Sequence, residues 1–306
     1  MPRIHVMLLT GLAILPSLTE TALAQIDPPE FYGRINVNIE LDRFDGEGNT
    51  SLVSNNSRIG VRGGEQISEG YEAVYQLEYK VSPEDESTFS QRNSFLGVRS
   101  DWGTVTAGYF DTPFKRSQGA VDVFNDLKGD ITRALTIHER RESNSIMYTS
   151  PADHGPFLTH VAYIAHDDRS RPGGVSAMLS YDENNLYTAL AVNRNVQQDD
   201  EEAARVVAVY TLGQWQFGAL AETSDRVQTG SESGWMLSTT YRADERWTLK
   251  AQAGQSDIRF QGGESYDIGA DYRISGRFKV FGFLTLNRGE PIGIRRYGGL
   301  GAELRF

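Results

Sequence analysis

The residues best suited to chemistry in this chain are charged side chains, and their types indicate an electric field rather than a covalent reaction. The middle of a long connection after Asp111 carries the carboxylates Asp122, Asp126 and Asp130 and the cation Lys128. Arginines recur in the segments on either side of this connection. A guanidinium stays charged because its pKa exceeds ~12. Carboxylates opposite arginines across a narrow, low-dielectric passage would create a field that sorts ions by charge.

The residue types that catalysis or metal binding needs are sparse. Cysteine is absent, which excludes a disulfide scaffold and any thiolate metal site. The later histidines, His138, His154, His160 and His166, are scattered and form no HExxH pattern. We therefore expect no catalytic residues, no metal and no cofactor. The formal net charge of −11 argues against a nucleic-acid partner.

The elements that carry these charges have the two-residue period of β-strands. In the segment 31–41, one face would hold Gly33, Ile35, Val37, Ile39 and Leu41, and the other Tyr32, Arg34, Asn36, Asn38 and Glu40. The last residues alternate in the same way, with Leu300, Ala302, Leu304 and Phe306 on one face and Glu303 and Arg305 on the other. A strand that is apolar on one face and charged on the other suits a barrel wall between lipid and water.

Alternating segments separated by turn residues predict sixteen antiparallel strands: 31–41, 57–66, 70–81, 91–99, 103–111, 141–149, 157–166, 173–182, 185–196, 203–212, 214–224, 233–242, 246–257, 262–273, 277–289 and 294–306. The count is even, and short turns alternate with longer connections, the longest being 42–56 and 112–140. Both features are typical of transmembrane β-barrels. A barrel of this size leaves an aqueous channel rather than a filled core. The fold class expected is all-β, and the last strand should close the barrel against the first.

The first 24 residues predict a secretory signal peptide. Arg3 precedes an apolar stretch from Val6 to Leu18, and Ala22-Leu23-Ala24 gives a cleavage site of small residues. We expect residues 1–24 to be removed and residues 25–306 to form one domain.

Several segments in order resemble the Gram-negative general porins, the trimeric 16-stranded diffusion channels of the outer membrane. The segments are Phe31-Tyr32-Gly33-Arg34, Asn55-Asn56-Ser57-Arg58-Ile59-Gly60, Tyr71-Glu72-Ala73-Val74-Tyr75, Arg92-Asn93-Ser94-Phe95-Leu96-Gly97 and Asp111-Thr112-Pro113. The terminal Phe306 is similar to the family's outer-membrane assembly signal. The resemblance is specific at the two ends of the chain, whereas its middle matches mainly in pattern.

The resemblance implies a third extracellular loop that folds inward and narrows the pore. Asp126-Leu127-Lys128-Gly129-Asp130 stands where the family has an acidic-aromatic-Gly-Gly-Asp ending. By this alignment Asp122 and Asp126 are pore-facing carboxylates, and Asp130 holds the loop through backbone amides. Lys128 departs from the usual glycine, and two positions stay open for it: the lumen, or a hydrogen bond to the wall.

The same alignment places four arginines on the opposing wall: Arg34, Arg58, Arg92 and Arg141. Arg62 follows Arg58 by four residues and therefore shares its face. With four or five arginines against two or three carboxylates, we expect weak ion selectivity, with anion preference slightly ahead.

The expected function is passive diffusion of ions and small hydrophilic solutes across the outer membrane of a Gram-negative bacterium. The family resemblance further implies a homotrimer, contact with lipid and lipopolysaccharide, and delivery by periplasmic chaperones to the barrel-assembly machinery. The acidic run Asp199-Asp200-Glu201-Glu202 is expected to be a solvated loop, with divalent-cation binding as its alternative.

Three other functions compete with this one. A substrate- or anion-selective porin would need a track of aligned arginines or aromatic residues through the pore. An outer-membrane barrel enzyme would need a Ser/His/acid or Asp/His constellation, for which His138 lies near the acidic loop. The sixteen-strand count opposes that reading, because enzyme barrels are usually narrower. An adhesin would carry much longer surface loops.

Overall fold

The computed structural model describes residues 28–84, 89–166 and 172–306. The predicted signal peptide, residues 1–24, lies outside the described residues. Within those ranges, no helix has the length and apolar character that crossing a membrane requires.

The described chain is almost entirely β-structure. Its strands are β1 (Glu30–Phe44), β2 (Glu47–Ser54), β3 (Arg58–Ser68), β4 (Tyr71–Val81), β5 (Phe89–Ser100), β6 (Gly103–Asp111), β7 (Arg141–Thr149), β8 (Phe157–Ile164), β9 (Gly174–Glu183), β10 (Leu186–Arg194), β11 (Glu202–Leu212), β12 (Trp215–Arg226), β13 (Gly230–Arg242), β14 (Trp247–Ser256), β15 (Gln261–Arg273), β16 (Phe278–Glu290) and β17 (Gly293–Arg305). Between β6 and β7 lie a short helix α1 (Pro113–Arg116) and a 3₁₀ turn (Ile131–Arg133).

The sheet closes on itself, because the first strand pairs antiparallel with the last. Arg34 lies opposite Arg305, and Leu41 lies opposite Gly298. Gly33 N donates to Phe306 O at 2.9 Å, and Phe306 N donates to Gly33 O at 3.1 Å. Closure leaves no open sheet edge, which a wall in lipid requires. The predicted barrel and its closing seam are confirmed.

The region between the first two predicted strands differs from the sequence expectation. Residues 42–56 were predicted as a connection, but Glu47–Ser54 form β2, which pairs with the second half of β1, Val37–Phe44. The first half of β1 pairs with β3, from Glu30 opposite Arg62 to Arg34 opposite Arg58. Thus β2 and β3 are two parts of one wall strand interrupted at residues 55–57, and the barrel has sixteen strand positions around its wall.

The two faces of the wall have the polarity that the sequence predicts. The side chains of Ile39 and Leu300 are 64% and 75% exposed, whereas Asn38 and Glu40 on the opposite face are only 1% and 2% exposed. Aromatic pairs stand on the outside near the short turns, among them Trp102–Tyr148, Trp215–Tyr241 and Trp247–Tyr272. An apolar exterior with aromatic residues at its rim is the pattern of a barrel embedded in lipid.

Candidate functional site: the charged interior of the barrel

The connection from residue 112 to residue 140, here called the β6–β7 loop, packs against the inward face of the wall. Thr112 and Asp130 cap its two short helical turns. Val121 and Leu135, at 0% and 5% exposed, join an apolar cluster with Val207 of β11 and other residues of β10–β13. Burial of apolar surface therefore fixes the loop to one side of the interior.

Polar contacts tie the middle of the loop to other parts of the wall. Gln252 of β14 donates from Nε2 to Gly129 O at 2.8 Å, and its Oε1 accepts from Val123 N at 3.0 Å. Asn287 of β16 donates from Nδ2 to Lys128 O at 2.9 Å. Gln252 lies on β14, next to the apolar cluster, and Asn287 lies two strands further on, so the attachment of the loop extends along the wall from β10 to β16.

Asp126 meets Arg34 inside the barrel. The guanidinium of Arg34 donates to Asp126 Oδ2 and also to Asn55 O at 2.7 Å. Asn56 Nδ2 donates to the other oxygen of Asp126 at 2.5 Å. Burial raises the pKa of the Asp126 carboxyl, but Arg34 and Asn56 outweigh burial and set it below its usual range. This carboxylate is therefore ionised at neutral pH.

The break between β2 and β3 builds the wall side of this contact. Asn56 has a φ of 53°, in the left-handed region that asparagine tolerates better than most residues. The turn frees the carbonyls of Asn55 and Asn56, and both accept from Arg34. No role was predicted for these two asparagines from sequence, although an Asn-Asn pair before an alternating segment is a turn signal.

Two further predicted arginines lie beside this contact and share one carboxylate. Arg92 Nε is 2.7 Å from Glu78, and Arg58 Nε is 3.4 Å from it. Arg92 also reaches Asn56 Oδ1 at 3.3 Å, and Arg58 is in electrostatic contact with Arg34. The structure therefore brings Arg34, Arg58 and Arg92 together, with Glu78 as a counterion that the sequence reasoning missed.

The other two predicted arginines lie apart from this group. Arg62, in the middle of β3, pairs with Glu30 at the start of β1 at 2.8 Å and lies about 13 Å along the strand from Arg58. Its side chain is 54% exposed, so it shares the face of Arg58 but not its height. Arg141 pairs with Asp111 at 2.9 Å, at the base of the β6–β7 loop.

Within the loop, Asp122 borders the same interior cavity as Asp126 and Arg34, but its carboxylate is bound to the backbone of the loop. Its two oxygens accept from Phe124 N and Ile131 N, both at 3.1 Å, and it is 7% exposed. Burial and the neighbouring Asp130 raise the pKa of the Asp122 carboxyl well above its usual range. Asp122 therefore braces the loop, as Asp130 does through Asp126 N at 2.8 Å and Thr132 N at 2.8 Å.

Lys128 takes the second of the two positions that the sequence left open. Its Nζ lies 3.1 Å from Glu40 on β1 and 4.9 Å from the centre of the Tyr297 ring. The side chain is thus bound to the wall, and its charge is offset by Glu40.

A second group of cations lies on the wall beyond the closing seam, on β14 and β16. Lys250 of β14 and Lys279 of β16 share Asp271, at 3.0 Å and 2.8 Å. They border a cavity of about 360 Å³ that also touches Arg34 and Asp126. Neither lysine was predicted as part of the site. Alternation along a strand shows which face of the wall a side chain lies on, but it does not show which residues of other strands the side chain contacts.

Among the described residues, no group of three or more His, Asp or Glu side chains has the geometry to hold a metal ion. The side chains that converge in the interior are charged pairs around open volume, which is an arrangement for contact with ions and water rather than for bond making.

A closed antiparallel barrel with an apolar exterior and a charged interior defines the class of outer-membrane β-barrel proteins. A sequence model described as Gram-negative porin matches residues 11–290, so this chain belongs to the Gram-negative porin family and resides in the outer membrane.

Curated relatives and solved structures agree with this assignment. The chain is 32% identical over 119 residues to major outer membrane protein P.IA of Neisseria meningitidis serogroup C, a match that spans 38% of the chain and 30% of that relative. It is 25% identical to major outer membrane protein P.IB of N. meningitidis serogroup B over 95% of the chain and 97% of the relative. An anion-selective porin from Comamonas acidovorans has the same fold, with a TM-score of 0.79 at 18% identity, covering 91% of this chain and 99% of that one. A trimer form of OmpT from Vibrio cholerae gives a TM-score of 0.66 at 15% identity, over 91% and 99% of the two chains.

Proposed function

We propose that this protein is a passive channel for ions and small hydrophilic solutes, narrowed by the β6–β7 loop. The observation that carries the proposal is the pairing of Asp126 on the loop with Arg34 on the wall, beside an open cavity of about 360 Å³. Fixed charges on both sides of a narrow aqueous passage act on every ion that crosses it. No bond is made or broken, so the protein is not an enzyme.

We further propose that the channel weakly prefers anions. The cations that we assign to the passage are Arg34, Arg58, Arg92, Lys250, Lys279 and Arg305. The described carboxylates beside them are Asp122, Asp126, Glu78, Asp271 and Glu303. The cations outnumber the carboxylates, so the local field favours anions although the whole chain carries −11. Charges at the distant mouths are screened over ~8 Å at physiological salt, whereas the interior charges are close to the ion. The anion selectivity named for the Comamonas acidovorans neighbour is consistent with this preference.

The test compares permeation of matched solutes into liposomes that contain the purified protein. Neutral sugars should enter at a rate that falls with their size, and monocarboxylates should enter faster than amines of the same size. Lys250→Gln and Lys279→Gln should each reduce the advantage of the carboxylates. Arg99→Gln is the matched control, because Arg99 pairs with Glu72 and is 59% exposed on its side chain. Liposomes that stay impermeable to every solute would contradict the channel, and unchanged ratios in both lysine variants would contradict the proposed field.

A second candidate is a channel selective for small multivalent anions, because the cations continue beyond the lysines. A further cavity of about 200 Å³ near one mouth is lined by Arg273, Arg277, Lys279 and Arg305. Such a series of cations is what a substrate-selective porin would need. Inhibition of chloride current by low concentrations of a dicarboxylate, but not of a monocarboxylate, would favour this candidate over a general channel.

We also propose that the protein assembles as a homotrimer within lipid and lipopolysaccharide. The trimer form recorded for the Vibrio cholerae neighbour supports this state. Cross-linking of the protein in outer-membrane preparations should yield a band of three subunits that survives heating, and a band of one subunit alone would contradict the trimer.

A further inference from the structure

A second group of charges lies between the β6–β7 loop and the wall, and the proposed channel does not use it. We call it the His138 cluster: His138 and Glu139 on the loop, Glu201 just before β11, Arg205 on β11 and Glu222 on β12. His138, Glu201, Arg205 and Glu222 are each at most 3% exposed. Buried charges persist only when they are paired and hydrogen-bonded, so this cluster depends on its own balance.

The cluster joins three parts of the chain. His138 Nδ1 lies 2.6 Å from Glu222, and its Nε2 lies 2.9 Å from Glu201. Arg205 donates to Glu222 at 2.6 and 2.9 Å, and to Glu139. Glu201 also accepts from the amides of Gln197 and Gln198, at 3.1 and 3.2 Å. The end of the loop is thereby tied both to the wall and to the connection before β11.

Neighbouring groups complete the surroundings of the imidazole. Thr136 Oγ1 donates to Glu222 at 2.6 Å, and Ser224 Oγ lies 3.5 Å from His138 Nε2. The ring of Phe114 packs against His138 at 5.5 Å between centroids, and Lys115 acts on Glu139 from the helix α1. No solvent molecule is needed to account for either ring nitrogen.

The geometry requires two protons on the imidazole. A neutral imidazole has one donor and one acceptor nitrogen, so only the charged form can donate to both carboxylates. Burial lowers the pKa of His138, but Glu201 and Glu222 outweigh burial and hold it above its ordinary value. Burial raises the pKa of Glu139 to about 7.

The charge of the cluster therefore changes over a narrow pH range. At mildly acidic pH, the cations His138 and Arg205 balance the carboxylates Glu201 and Glu222, and Glu139 is neutral. At alkaline pH, Arg205 alone faces three carboxylates, and one ring nitrogen of His138 points its lone pair at an anion. Both changes weaken the attachment of the loop in the same direction.

We propose that the His138 cluster is a latch that positions the β6–β7 loop, closed while His138 carries its proton and released when the proton leaves. His138 is a positioning residue, since it acts on the passage through the loop. The consequence for permeation rests on the proposed function, because it requires that the loop narrow the channel.

The experiment follows the loop directly and the current separately. The chain has no cysteine, so Asn125→Cys on the exposed surface of the loop accepts a single nitroxide label. Label mobility and single-channel current fluctuations are recorded from about pH 6 to about pH 9, on either side of the ordinary His pKa of ~6.5. We expect the ratio of released to latched loop to rise about tenfold, which corresponds to about 1.4 kcal/mol.

Two variants and one control make the outcome decisive. His138→Gln should have high label mobility at every pH, and Glu201→Gln, which leaves the barrel strands unchanged, should increase mobility at acidic pH. The control His160→Gln, on a buried histidine bonded to Thr149, should keep the pH response.

Label mobility that does not change with pH, or a pH response that survives in His138→Gln, would overturn the latch. If mobility responds to pH while the current does not, the latch is supported and the role of the loop in the channel is contradicted instead.

Discussion

Replacing Asp126 with asparagine tests the proposed electric field at the contact between the β6–β7 loop and Arg34 on the wall. The amide oxygen of asparagine can still accept from Arg34, whereas its amide nitrogen replaces the oxygen that accepts from Asn56. The substitution keeps the size of the side chain. It removes one negative charge from a site where the Asp126 and Arg34 side chains are only 13% and 12% exposed. Arg34 keeps its second counterion, Glu303, at 3.8 Å, so the loop should stay in place while the balance of charge shifts by one.

The magnitude follows from Coulomb's law. At about 8 Å, a unit charge acts on a passing ion with about 332/(80 × 8), or ~0.5 kcal/mol, in bulk water and with about 332/(20 × 8), or ~2 kcal/mol, near a protein surface. The passage is aqueous but bounded by protein, so a value of about 1 kcal/mol is expected. Removal of the charge lowers the energy of an anion and raises that of a cation by this amount, so the permeability ratio of anion to cation should rise about thirtyfold.

The assay is the zero-current potential of single channels in a potassium chloride gradient. Asp153→Asn is the matched control, since Asp153 is 85% exposed on its side chain and lies in a turn outside the passage. The shift should shrink at high salt, because added ions screen the charge. If Asp126→Asn shifts the potential no more than Asp153→Asn does, the assignment of this loop to the channel is refuted.

Three further predictions follow from packing and protonation. Phe306→Ala should slow insertion into membranes and lower barrel stability by about 1–2 kcal/mol, because the half-exposed ring packs over Gly33 at the closing seam; equal heat resistance of the two proteins in gel shifts would contradict this. Leu135→Ala should cost about 2–3 kcal/mol of loop packing and increase current fluctuations while the barrel still forms; a silent, steady channel would argue against it. The pKa of His138 is raised on folding, so its stabilisation is present below the unfolded value of ~6.5 and is lost as the pH rises through the folded value. The raised pKa of Glu139, about 7, acts in the same direction, so thermal midpoints should fall from mildly acidic to alkaline pH, and a midpoint that rises would contradict the cluster.

The wall of the barrel could be predicted from sequence because one physical requirement repeats along it. Each strand separates lipid from water, so the two-residue alternation marks strand after strand, and β6 and β7 match the predicted 103–111 and 141–149. The strand β2 escaped prediction because Glu47–Ser54 is mostly polar and its apolar residues, Leu52 and Val53, do not alternate. Pairing with β1, rather than a local pattern, makes this segment a strand.

The interior could be predicted only in part, because a pattern specifies faces and not partners. Alternation placed Arg34 and Arg58 inside, but the same alternation placed Arg62 there too. Only the register shows that Arg62 lies opposite Glu30, at the start of β1. The docking of the loop did leave a trace in sequence. The run from Ala203 to Val209 is apolar on both faces apart from Arg205, as expected for a strand covered on both sides. Lys250 gave no such signal, since alternation along β14 does not identify its partners, Asp271 on the neighbouring β15 and Phe124 on the loop.

The most direct test of the central claim is the zero-current potential of the unmodified protein in a salt gradient. A passive channel whose interior cations exceed its carboxylates should open steps of ohmic current and give a potential with the sign of anion preference, small in size and weaker at high salt. A bilayer without current steps would contradict the channel, and a potential with the sign of cation preference would contradict the charge arrangement proposed for its interior.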